Sequence, residues 1–167
     1  MTEQDPTMAR ARQAQARTRG QPPGSTGGPR ARVLLDGEKT GGRFALLELQ
    51  ETHGDEPPRH LHHWEDEALY VLQGELTVYL GEAAISAPAG TALLLPRGVE
   101  HSYAVVSETA SLLALFTPSG FEGYFQALAA GAAGTETSLD RLISVAARHG
   151  CEITGPPPRG AGRSPPP

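Results

Sequence analysis

The sequence has a single cysteine, Cys151, so no intrachain disulfide can form and a disulfide-stapled scaffold is excluded. It has no apolar run close to the roughly 18 residues that a membrane-spanning helix requires. Its N-terminus lacks the apolar core of a secretory signal. No internal repeat is present, which excludes a solenoid or propeller. Between residues 33 and 117 no helical period of about 3.6 residues can be traced. These absences lead to an expected cytoplasmic protein with no membrane partner. Cys151 lies near the end of the expected fold and reads as a structural thiol rather than a nucleophile.

Large apolar side chains are also nearly missing from both ends. Residues 1–32 are rich in Arg, Gln, Gly and Pro, and residues 154–167 are mostly Pro and Gly. Neither stretch can bury enough surface to offset its ordering entropy, so both are expected to be disordered tails. The Arg-rich, acid-poor N-terminal composition is shared with organelle transit peptides, but plain disorder accounts for it equally well. The expected folded unit is a single domain over 33–153, with a barrel at 33–117 and a helical segment at 118–153.

Charge follows the same division. Residues 1–32 carry six Arg against Glu3 and Asp5, a net of +4, whereas residues 33–153 carry six basic and seventeen acidic side chains, a net of −11. An acidic body disfavours nucleic acid as a partner.

What is present over 33–117 is a series of short β-branched, apolar and aromatic runs, at 32–35, 43–49, 67–73, 75–80, 83–87, 91–95, 102–106 and 111–116. Gly, Pro and acidic turns separate them. Eight short strands at this spacing predict an all-β sandwich or barrel. Phe44 and Leu46 are expected to line its interior. Helical spacing appears only afterwards, at 120–130 and 138–150. In the second of these, Leu139, Leu142, Ile143 and Ala146 make the predicted apolar stripe. Thr137 with Asp140 resembles a capping box, and Gly150 provides a C-terminal stop.

Four of the six histidines fall between residues 53 and 63. His60 and His62 stand two apart, which on a strand puts both imidazoles on one face. Glu67 follows, and a Pro-Arg-Gly turn leads into His101. Taken alone, a His-x-His pair is as readily two loop histidines. Three imidazoles and a carboxylate together form a borderline nitrogen/oxygen donor set, suited to Fe, Mn, Ni, Co, Cu or Zn rather than to calcium or magnesium. His63 alternates to the opposite face, His53 reads as solvated, and His149 sits at a helix C-terminus, where a cation is favoured. Trp64 is read as a packing residue on the barrel rim. Phe121, Tyr124 and Phe125 are read as core contacts of their helix, or as a closure of the barrel mouth.

These segments resemble the two motifs of the cupin superfamily. The first runs glycine, five residues, His-x-His, three or four residues, Glu, six residues, glycine, and is met by Gly54, His60, His62, Glu67 and Gly74. The second runs glycine, five residues, Pro-x-Gly, two residues, His, three residues, Asn, and is met by Gly90, Pro96, Gly98 and His101, with Val105 in place of the Asn. The six-residue gap to Gly74 selects Glu67 over Asp66 as the acid. The helical segment after 117 is similar to the one that follows the barrel in small quercetin-dioxygenase-like cupins.

The resemblance implies a double-stranded β-helix, or jelly-roll, with two short C-terminal helices. It implies one divalent transition metal on His60, His62, Glu67 and His101. It further implies that Glu67 takes a substrate hydroxyl proton. Tyr103 and Val105 share the parity of His101, so both are expected to point inward, with Tyr103 as a second catalytic candidate. Its hydroxyl would act in the pocket or be satisfied by backbone. Glu67 is the only carboxylate that can be placed in the site from sequence. The expected activity is a metal-dependent oxygenase of a small phenolic, flavonoid-like or enolisable substrate. The alternatives are a non-oxidative isomerase or cyclase and a non-catalytic ligand-binding cupin. A homodimer is expected, using the first strand to cover a sheet edge.

Overall fold

The computed structural model describes residues 30–130 and 138–158. Two five-stranded antiparallel sheets face each other. The strands are β1 (Arg30–Leu35), β2 (Ala45–Thr52), β3 (Arg59–His62), β4 (Asp66–Gln73), β5 (Glu75–Leu80), β6 (Ala83–Pro88), β7 (Ala92–Leu95), β8 (His101–Val105), β9 (Thr109–Thr117) and β10 (Cys151–Gly155). The first sheet has the order β1-β2-β9-β4-β7, and the second β10-β3-β8-β5-β6. From β2 to β5 and from β6 to β10 successive strands alternate between the sheets, while β1–β2 and β5–β6 are hairpins each within one sheet, an arrangement a jelly-roll allows. Helix α1 (Gly37–Thr40) is a single turn inside a stretch expected to be a plain break, and α2 (Glu122–Ala130) and α3 (Leu139–Arg148) follow the barrel. No helix among the described residues is long and apolar enough to cross a membrane.

The period-2 alternation of the strands builds the core. Leu69 and Val71 of β4, Leu76 and Val78 of β5, and Leu112 and Phe116 of β9 are all buried. Each such side chain contributes roughly 1.5–3 kcal/mol of transfer free energy.

The structure corrects the expectation for β2. Ala45, Leu47 and Leu49 face inward, so Phe44 and Leu46 lie on the opposite parity. Residues 44–47 are apolar on both parities, and that hides the register. The polar Glu48 and Gln50, alternating with Leu47 and Leu49, carried the usable signal. The same inward parity brings Glu51 into the interior, buried at 6% exposure.

Among the described residues ten strands form where eight were expected. The four residues of β3 are too polar to announce a strand. β10 lies beyond the helices and pairs with β3 through Cys151↔His62 and Ile153↔His60. Strand pairing therefore starts at Arg30 and runs to Gly155, into both segments read as tails; most of those segments lies outside the described residues.

The apolar stripe expected on α3 is displaced. Val145 and Ala146 are buried, while Leu139 is 61% and Ile143 42% exposed. The helix packs on β10, so its C-terminal half turns inward and its first turn does not. Its N-cap is Ser138, whose side chain accepts from the Arg141 backbone N–H; Thr137 lies outside the described residues.

Candidate metal centre

Three elements from two sheets bring the predicted ligands together. His60 and His62 alternate with Leu61 on β3, and His101 opens β8 directly opposite His60 in the ladder. Both strands belong to the second sheet. The chain then crosses at 63–65 to β4 of the first sheet, where Glu67 faces back across the interior, flanked by Leu95 and Phe116. One ligand atom from each of His60, His62, Glu67 and His101 lies within 4.8 Å of all the others. His62, Glu67 and His101 are 1%, 5% and 2% exposed, respectively.

The backbone sets two of the three imidazole tautomers, while His62 Nδ1 is buried without a partner. His60 Nδ1 lies 2.8 Å from the Pro58 carbonyl and His101 Nδ1 2.9 Å from the Val99 carbonyl. A carbonyl only accepts, so both Nδ1 atoms carry the proton and both Nε2 atoms present a lone pair. His62 Nε2 and His101 Nε2 stand 3.4 and 3.2 Å from Glu67 Oε2. Neither approach is aligned as a hydrogen bond, and both buried nitrogens lack a hydrogen-bond partner. Such orphaned atoms cost about 1–3 kcal/mol each. A cation accepting their lone pairs removes that cost, so the donor set fits a metal ion.

The electrostatics agree for His60 and Glu67, whereas at His101 burial is outweighed by the facing Glu67 carboxylate, which raises the imidazole. Burial, followed by the neighbouring His101 and His62, pushes His60 down to about 3. Burial opposes ionisation of Glu67, but the close His101 and His62 imidazoles outweigh it and hold the carboxyl well below its usual range. His60 and Glu67 therefore remain in their ligating protonation states at neutral pH. Asp66, the rival acid, lies outside the cluster and pairs with Arg97 at 2.8 Å.

The cluster opens onto a cavity of about 590 Å³. Phe121 packs edge-on against His62 at 4.3 Å between ring centroids and lies 5.0 Å from Phe116. Glu122, buried, accepts from the Gly37 and Gly120 backbone N–H groups at 2.8 and 2.6 Å, which ties the start of α2 to the barrel. Tyr124 and Phe125 complete this aromatic wall.

Tyr103 is buried and lines the same cavity, and Val105 is buried beside it. The Tyr103 hydroxyl is satisfied by a carboxylate rather than by backbone, donating to Glu51 Oε1 at 2.9 Å. Glu51, Asp55 and Glu56 also line the cavity, so Glu67 is not its only acid. Burial drives Glu51 up to about 7 against the Tyr103 hydrogen bond, with Asp55 and Glu56 adding to the rise.

The remaining histidines lie apart from the cluster. His63 pairs with Glu152 at 3.0 Å, exposed, and His53 Nδ1 lies 2.6 Å from the Val105 carbonyl. His149 caps the C-terminus of α3. Trp64 is 56% exposed on the rim. Cys151 is buried, which pushes its thiol up to about 12 and leaves it protonated.

A jelly-roll of this topology, with three histidines and a glutamate converging inside it, is the fold and the residue cluster that the cupin resemblance led to expect. Residues 47–116 match the family model described as a cupin domain. Quercetin 2,3-dioxygenase of Bacillus subtilis (strain 168) is 27% identical over 103 residues, 62% of this chain and 31% of that protein. The chain thus spans less than a third of the length of this curated relative. Among solved structures, an RmlC-like cupin from Shewanella frigidimarina NCIMB 400 matches with a TM-score of 0.53 and 19% identity, over 63% of this chain and 89% of that one. KdgF from Halomonas sp. matches with a TM-score of 0.50 and 20% identity, over 55% and 79% of the two chains. At these identities the two structures show the fold alone.

Proposed function

We propose that the protein is a metal-dependent cupin enzyme. In this reading His60, His62, Glu67 and His101 hold one divalent transition-metal ion, and the enzyme oxygenates a small phenolic, flavonoid-like or enolisable substrate. The observation that carries the reading is the pair of buried, unpartnered Nε2 atoms of His62 and His101 beside the ionised Glu67, facing a cavity with an aromatic wall. The similarity to a quercetin dioxygenase supports the substrate class.

A bound ion of this kind supplies Lewis acidity and, where redox-active, electron exchange with dioxygen. The chain's own residues supply the rest. The Pro58 and Val99 carbonyls hold His60 and His101 in the ligating tautomer. Glu67 keeps its charge and takes the proton of a substrate hydroxyl. Phe116 and Phe121 flank a flat ring and exclude water.

The test is metal analysis of protein purified without added metal, followed by oxygen uptake with iron-, nickel- and manganese-loaded protein across a phenolic panel. Uptake with a matching product mass gain is expected. Absence of bound metal after loading would sink the reading. A second reading, a non-oxidative isomerase or cyclase, is favoured by one observation: Tyr103 and Glu51 place a second proton-carrying group in the cavity. Turnover by zinc-loaded protein under strict anaerobiosis selects it. Metal and ligand binding with no turnover in either atmosphere leaves a binding cupin. The expected homodimer would form on β1, at the edge of the first sheet, and sedimentation measures it.

A further inference from the structure

The cavity has two chemically opposite ends. One is the histidine cluster, whose buried Nε2 atoms of His62 and His101 open into it without partners. The other is the Glu51–Tyr103 pair, which joins β2 of the first sheet to β8 of the second across the barrel interior. The same cavity is also lined by the apolar side chains of Leu49, Leu95, Phe116 and Phe121.

The Glu51 end has a definite polarity. Tyr103 spends its only proton on Glu51 Oε1, so its oxygen can only accept a further hydrogen bond. An ionised carboxylate offers about four lone-pair sites and no donor. Both groups at this end therefore present acceptors to whatever enters. The charge has the same sense: Glu51, Asp55 and Glu56 line the cavity, and no Lys or Arg among the described residues does. An anionic group brought here would meet carboxylates with no cation to offset them, in a half-enclosed and weakly screened space.

We propose that Glu51, held by Tyr103, is a second ligand anchor in the same cavity as the metal cluster. The cavity then selects an aromatic ligand with a metal-binding oxygen at one end and a hydrogen-bond donor, hydroxyl or ammonium, at the other, and rejects ligands carrying a carboxylate or phosphate there. This rests on the metal-binding reading above and adds the substrate's second functional group to it.

The test uses zinc-loaded full-length protein, anaerobically, at about pH 8, above the value of about 7 to which burial raises Glu51, so that its carboxyl is ionised. Calorimetry measures binding of four catechols that differ only in an ethyl, hydroxyethyl, aminoethyl or carboxyethyl tail. The hydroxyethyl and aminoethyl arms should bind on the order of tenfold more tightly than the ethyl arm, the scale of a charge-assisted hydrogen bond. Their ranking tells a hydroxyl from an ammonium preference. The carboxyethyl arm should bind on the order of tenfold more weakly. In Glu51→Gln the zinc stoichiometry should persist while the aminoethyl advantage and the carboxyethyl penalty both shrink.

Four equal affinities in the unaltered protein would overturn the inference and leave the metal reading standing. So would a Glu51→Gln variant that preserves the ranking. Failure of every catechol to bind zinc-loaded protein would overturn both. The ranking in the unaltered protein decides the matter even if the variant fails to fold.

Discussion

Tyr103 donates its hydroxyl hydrogen bond to Glu51, a residue 52 positions away, and the bond joins the inner faces of the two sheets. It places an ionisable carboxyl where β2 otherwise presents only Ala45, Leu47 and Leu49, and this has a consequence for stability.

The Glu51 carboxyl titrates near 7 in the folded protein, against an ordinary value of 4.5. Below 4.5 the proton is bound in both the folded and the unfolded state, and the group is neutral towards folding. As pH rises, the unfolded chain releases the proton first, so stability falls, and above about 7 the full penalty of about 3 kcal/mol is present. Glu51→Gln keeps an acceptor for Tyr103 and removes the titration. Its melting temperature relative to the unaltered protein should rise between pH 5 and 8, the window of this penalty. Parallel curves in thermal scans at matched metal loading would refute the assignment.

The neighbouring acids Asp66 and Glu67 should separate sharply. Glu67→Gln and His62→Ala should each weaken metal binding at least as much as the roughly 10–100-fold loss seen when only a supporting partner is removed. Asp66→Asn loses the charge of a surface pair with Arg97 while its side-chain oxygen can still accept from the Arg97 backbone N–H, and it should retain metal. Equilibrium dialysis with elemental analysis reads all three. Full metal retention by His62→Ala would show that the ligand set is misassigned.

Gly74 turns the chain between β4 and β5 at φ +82°, and a Cβ there would lie 2.4 Å from the Thr109 carbonyl oxygen. That oxygen is backbone and cannot swing away. Gly74→Ala should therefore cost roughly 3 kcal/mol or more, from strain plus a displaced strand end. Urea unfolding measures it, and a loss below about 1 kcal/mol would contradict the close approach.

Gly150 makes a contrasting case. It stands at φ +69°, and its Cβ would meet Trp64 Cδ2 at 2.5 Å. Trp64 is 56% exposed and free to rotate outward. Gly150→Ala should cost about 1–2 kcal/mol, mainly left-handed backbone strain. Adding Trp64→Ala should leave that strain and remove the remainder. A Gly150→Ala loss that vanished entirely in the double variant would mean that strain contributes nothing.

By itself the sequence determined the residues of the candidate metal cluster and most of the barrel, because both are local in their signal. Two-residue spacing puts His60 and His62 on one face of any strand, glycines mark the turns on either side, and the gap to Gly74 selects Glu67. The runs from β4 to β9 alternate plainly enough to be counted. Tertiary structure alone decided which parity of β2 meets the opposite sheet, since residues 44–47 are apolar on both faces. That choice carried Glu51 inside to Tyr103. Tertiary structure also added β10 beside β3 and turned Val145 inward alongside the expected Ala146, while leaving Leu139 and Ile143 exposed. Local periodicity states that a segment has a buried face. Which face is buried depends on partners dozens of residues away, and those partners exist only once the chain has closed on itself.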